Sequence, residues 1–202
     1  IAEVESNSRD DFIDSLAAVN LRMSEQHGVV PFLRYYQRTG LDVQGSQGFI
    51  LSPADSFATA FANLQLFAQG ATIRSSQDQP ALVVQLGVTT YLQAIRFDGT
   101  NTPGWLNNIQ LASADESALL AVVEEFAQQL EGEGIAAPMI NVFRVVAGEA
   151  GYTHLVSINT ASSERLAMLL DAYGNLGQRM LAASPQSSHS ILSNSLYFEL
   201  LP

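Results

Sequence analysis

The chain of 202 residues is long enough for one large domain or two small ones, and its 47% hydrophobic content supplies a real core and excludes disorder. Twenty acidic side chains against nine basic ones leave a net charge of −11, which argues against nucleic acid or an anionic membrane as a partner. No apolar run of about 18 residues is available for a membrane span, and the absence of cysteine removes disulfides, thiolate metal sites and thiol nucleophiles.

All nine basic residues are arginine, so Schiff-base chemistry and a lysine general base are also excluded. The expected compartment is the cytoplasm, with export after removal of a signal as the alternative.

In chain order, Ala2 to Glu5 reads as a short first strand, followed by a helix from Asp10 to Gln26 that turns Phe12, Ile13, Leu16, Val19 and Met23 inward. Phe32 to Arg38 and Gln47 to Leu51 form a hairpin across Gly40 and Gly45. Pro53 suits the first turn of a second helix with Phe57, Phe61, Leu64 and Phe67 as its apolar stripe. Leu82 to Phe97 supplies a strand in which Gly87 marks a break or bulge. The polar run Asp98 to Gly104 is a natural linker.

Beyond it, Trp105 to Ala112 is a strand, and Ser113 with Glu116 is a capping-box pattern. Leu119, Leu120, Val123, Phe126, Ala127 and Leu130 make the stripe of a helix ended by Gly132 and Gly134. Met139 to Val146 and Tyr152 to Asn159 form a second hairpin. Ser162 or Ser163 caps a helix carrying Leu166, Leu169, Leu170 and Tyr173, and Ser195 to Leu201 is the last strand. Each half therefore reads β-α-β-β-α-β. Sliding the chain by 107 positions brings Ser6 onto Ser113, Pro31 onto Pro138 and Tyr91 onto Phe198.

The expected fold class is α+β: two tandem ferredoxin-like repeats, residues 1–97 and 105–202 joined by 98–104, packed sheet to sheet as a pseudo-dimeric barrel. On this order of elements the chain resembles the dimeric α/β-barrel superfamily with both halves fused. That superfamily includes cofactor-free monooxygenases of the antibiotic-biosynthesis type, lactone isomerases, haem-degrading and haem-binding enzymes and stress-induced proteins. The resemblance implies a small organic ligand between two sheets. A monomeric pseudo-dimer is expected rather than a further oligomer.

Strand alternation sorts candidate site residues. Phe32, Arg34, Tyr36 and Arg38 share one face of the first hairpin; Met139, Asn141, Phe143 and Val145 share one face of the second, with Ile140 and Val142 suited to lie under helices. Arg34 can anchor an anionic oxygen, or stand in water at a rim; Asn141 can donate to an enolate. His154 can serve as a general base or as an axial haem ligand, or be a hydrogen-bonded structural histidine. Tyr36, Trp105, Phe143 and Tyr197 can sandwich a planar ligand or simply fill the core. Glu199 is a further carboxylate, His27 suits a helix C-terminus and His189 lies in a Ser-rich loop. No metal motif is present, and no cofactor is expected other than the haem that His154 would permit. The two functional readings are a small-molecule binder or cofactor-free monooxygenase or isomerase, and a non-catalytic module with a packed interior.

Overall fold

The structure, a computed structural model, describes residues 1–6, 8–27, 34–38, 46–51, 84–99, 104–134, 138–148, 151–171 and 189–201, together with residues 54, 56, 58, 59, 62 and 65. They fall into two units. The first holds Ile1–Tyr91 and Phe198–Pro202, and the second Leu92–Tyr197. The segment 98–104, expected as a linker, lies within the second unit.

In the first unit, β1 (Ala2–Ser6) leads into α1 (Arg9–His27) through a tight serine turn. Ser6 Oγ accepts from Ser8 N–H at 3.2 Å and donates to the Ser8 carbonyl at 2.7 Å, and that carbonyl takes the Phe12 N–H. Asp10 and Asp11 then occupy the first turn, where the helix dipole favours negative charge. Phe12, Leu16 and Val19 recur at helical spacing and are buried. Phe12 packs edge-to-face on Tyr35, with centroids 5.0 Å apart, which sets the side of the sheet that α1 covers. The next residue along the strand, Tyr36, turns to the other side and stacks on Phe49 at 5.0 Å.

These tyrosines belong to β2 (Arg34–Arg38), which pairs antiparallel with β3 (Ser46–Leu51) in a register that sets Tyr36 opposite Phe49. β1 pairs antiparallel with β3 and with the start of β4 (Val84–Arg96). Between Ala2 and Val4 the partner on β4 moves from Thr89 to Leu86. One extra residue therefore bulges from β4 in the stretch that contains Gly87, as the glycine led us to expect. The strand order is β4-β1-β3-β2. Helical backbone appears at residues 58, 59, 62 and 65; Phe57, Phe61, Leu64, Phe67, Pro53 and the turn glycines Gly40 and Gly45 lie outside the described residues.

The second unit runs β5 (Trp105–Ser113), α2 (Glu116–Gly132), β6 (Met139–Gly148), β7 (His154–Thr160), α3 (163–171) and β8 (His189–Leu201), the last as far as Tyr197. Its strand order is β8-β5-β7-β6. In both units the fourth strand thus lies beside the first, followed by the third and the second. The α+β class is the one expected.

Leu119, Val123, Phe126 and Leu130 of α2 form one buried cluster with Ile109, Leu111, Ile140, Val142, Val156 and Ile158 of the sheet. Leu120 and Ala127 pack at its margin. Helix α2 is capped by Asp115, whose carboxylate accepts from Ala118 N–H at 3.0 Å, and not by Ser113. Ser113 instead repeats the turn made by Ser6: Oγ accepts from Asp115 N–H at 3.3 Å and donates to the Asp115 carbonyl at 3.1 Å. Ser162 caps α3 through Arg165 N–H. Leu166 and Leu169 face inward from it, whereas Leu170 is exposed; Tyr173 lies outside the described residues. The last strand opens at His189, six residues before the expected Ser195, so His189 stands in β8 and not in a loop.

Candidate functional site

The second unit's sheet has two chemically different faces, and its registers define them. β5 pairs antiparallel with β7, and β7 with β6. Ile109, Val156 and Val142 lie in one cross-strand row and Asn107, Ile158 and Ile140 in another, both on the face that α2 covers. Ile140 and Val142 sit under the helix as their alternation with Asn141 and Phe143 led us to expect.

The opposite face carries amides. Asn108, Ser157 and Asn141 stand side by side across β5, β7 and β6. The next rows, Leu106–Asn159–Met139 and Gln110–Leu155–Phe143, flank them with mixed apolar and amide side chains. Asn108 is 6% exposed, Ser157 3% and Asn159 0%. Buried amides ordinarily find partners. Asn141 does so with its own chain: Oδ1 accepts from the N–H groups of Asp98 and Gly99 at 2.9 and 3.3 Å, and Nδ2 donates to the Gly99 carbonyl at 2.8 Å. Asn108 Oδ1, by contrast, is buried with no hydrogen-bond partner among the described residues.

His154 belongs to the other face, in the row of Leu111 and Arg144. It is buried beside the first turn of α2, where Nε2 lies 3.5 Å from Glu116 Oε2 and Nδ1 2.9 Å from Thr153 Oγ1. The first distance suits charge attraction but lacks hydrogen-bond geometry. Nδ1 and the Thr153 hydroxyl share a hydrogen bond, and that hydroxyl also donates to the Leu111 and Ser113 carbonyls at 3.3 Å. Arg144 Nη1 lies 3.4 Å from the same Glu116 oxygen, and Arg144 Nη2 donates to Gln93 Oε1 at 2.6 Å.

Within the second unit, the residues singled out from the sequence fall on both faces of the sheet. Asn141 and Phe143 share the amide face; His154 and Trp105 lie on the opposite, helix-side face, Trp105 in the row of Thr160. Nε2 of His154 faces Glu116 in the first turn of α2, and Nδ1 faces the Thr153 hydroxyl. Arg34 is half-buried opposite Leu51, and Tyr36 is fully buried against Phe49, both in the first unit. Arg38 is exposed, and Tyr197 is half-buried in β8. The side chains of Glu199, His27 and His189 lie outside the described residues. Asn108, Ser157 and Asn159 were missed, although a signal for Asn108 was present: the adjacent amides Asn107-Asn108 in one strand must place one amide on each face.

No protein-family model matches the sequence, and neither does any curated protein. Solved structures do. A proposed monooxygenase from Fusobacterium nucleatum superposes with a TM-score of 0.53 at 5% identity, over 98% of this chain and 90% of that one. A second, from Lactobacillus acidophilus, gives 0.50 at 8% identity over 99% and 92%. At such identities the likeness extends to the fold alone, and the chain has the α+β fold of these two proteins.

Proposed function

We propose that the chain binds a small organic molecule against the amide face of its second unit, on a scaffold of the kind used by cofactor-free monooxygenases. The observation that carries this reading is Asn108 Oδ1, a buried acceptor that the described residues leave unserved. Leaving such a group unmade costs about 1–3 kcal/mol, a cost that a bound donor would offset. Binding sites commonly combine apolar walls with a few placed polar groups, and the rows around Asn108 have that make-up.

The two ferredoxin-like units belong to the same proposal as tandem repeats. Their shared strand order supports this, as do the matching serine turns at Ser6–Ser8 and Ser113–Asp115, offset by the same 107 positions. Binding is favoured over catalysis because His154 and Asn141 lie on opposite faces and the Asn141 amide is spent on residues 98 and 99. If the protein is an enzyme, cofactor-free oxidation or proton transfer is the chemistry the scaffold suggests.

The test is titration calorimetry of the purified chain with neutral two-ring aromatics, each positive repeated on Asn108→Val. Binding that weakens in the variant supports the site. Absence of binding, or binding indifferent to residue 108, overturns it in favour of the non-catalytic module. Oxygen uptake with the bound compound present separates a monooxygenase from a binder.

A further inference from the structure

We infer that the ligand of this face is uncharged and presents an O–H or N–H donor to Asn108 Oδ1. This rests on the binding proposed above and narrows its chemistry. None of the residues that the registers place in the three rows carries a charge: they are amides, a hydroxyl, an aromatic ring and aliphatic or thioether chains.

A carboxylate or phosphate brought here would lose its hydration with no cation among the residues of these rows to replace it, and burial of an unpaired ion is strongly disfavoured. The Asn141 Nδ2 donor of the row is already held by the Gly99 carbonyl at 2.8 Å and does not serve an anion. Asn108 Oδ1 is a buried acceptor of this face that no described residue serves. A neutral donor satisfies it without bringing charge, and a neutral acceptor-only molecule does not. Strands spaced about 4.8 Å apart make a three-strand row about 10 Å wide, a span that matches the length of a two-ring skeleton laid beside Leu106, Leu155 and Phe143.

Three probes of one skeleton isolate the chemistry: 2-naphthol, 2-methoxynaphthalene and 2-naphthoate, titrated at pH 7 into the full chain. Naphthol is expected to bind at least tenfold tighter than the methyl ether, with naphthoate weaker still. In Asn108→Val the naphthol advantage over the ether is expected to vanish; Asn108→Ala serves if the valine variant does not fold. Naphthoate binding as tightly as naphthol overturns the uncharged class, and the ether matching naphthol overturns the donor, while loss of affinity for all three in the variant would still uphold the site. Binding of every probe unaffected by either variant overturns the site itself and the inference with it.

Discussion

Glu116 and His154 tie the first turn of α2 to the first residue of β7, with Oε2 3.5 Å from Nε2. Arg144 Nη1 lies 3.4 Å from that same oxygen, so one carboxylate serves two nitrogen-bearing side chains. The carboxylate also sits at a helix N-terminus, where the macrodipole adds to its stability. Glu116→Ala is expected to cost about 1 kcal/mol in urea unfolding. Arg144→Ala should cost less, because Arg144 is 46% exposed and water screens its pairing. A larger loss for Arg144→Ala than for Glu116→Ala would refute this ordering.

Asn141 stitches β6 to the turn that follows β4. Besides its three bonds to residues 98 and 99, Asp98 Oδ2 accepts from Ile140 N–H at 3.2 Å and pairs with Arg96, which reaches Glu124 of α2 at 2.9 Å. Asn141→Ala removes the buried end of this chain and leaves three backbone groups without their partner. About 2–3 kcal/mol of destabilisation is expected, with faster hydrogen exchange at the Asp98 and Gly99 amides. Unchanged exchange there would show that the turn holds without Asn141.

Gly48 and Gly132 offer opposite expectations for the same substitution. A Cβ at Gly48 would collide with the backbone carbonyl oxygen of Tyr36, which cannot swing away as a side-chain tip would. Gly48→Ala should therefore destabilise by about 2 kcal/mol or more. At Gly132, the last residue of α2, nothing lies within 4 Å and φ is not positive. Gly132→Ala should be neutral or stabilising by up to about 1 kcal/mol. Chemical denaturation of the pair against the parent chain decides both.

Much of the fold could be read from residue order because each element announces itself locally. The three-and-four spacing from Leu119 to Leu130 matches the buried stripe of α2, and Gly87 coincides with the bulge on β4. Helix starts were harder: Ser113 and Asp115 are both capping residues, and the choice between them rests on which oxygen reaches a free N–H, a matter of backbone geometry. The site was least legible. Period-two alternation places His154 with Val156 and Ile158, but only the register and the helix contacts show that this row lies under α2. Likewise, composition cannot reveal that Asn141 is consumed by a turn more than forty residues earlier in the chain.

Asn107 and Asn108 are neighbours on opposite faces, and this separates a structural reading of a buried amide from a functional one. Asn107 is 0% exposed, shares a row with Ile158 and Ile140 beneath α2, and has no hydrogen-bond partner for Oδ1 or Nδ2 among the described residues. Replacing such a group with an apolar side chain relieves the cost of stripping it of water, and a β-branched residue suits the strand. Asn107→Val is therefore expected to raise stability by about 1 kcal/mol and to leave naphthol binding as it was. Asn108→Val is expected to weaken binding whatever it does to stability. A stability loss beyond about 1 kcal/mol in Asn107→Val would mean that the amide holds a buried water. A loss of naphthol affinity in that variant would mean that the helix-covered face, and not the amide face, receives the ligand.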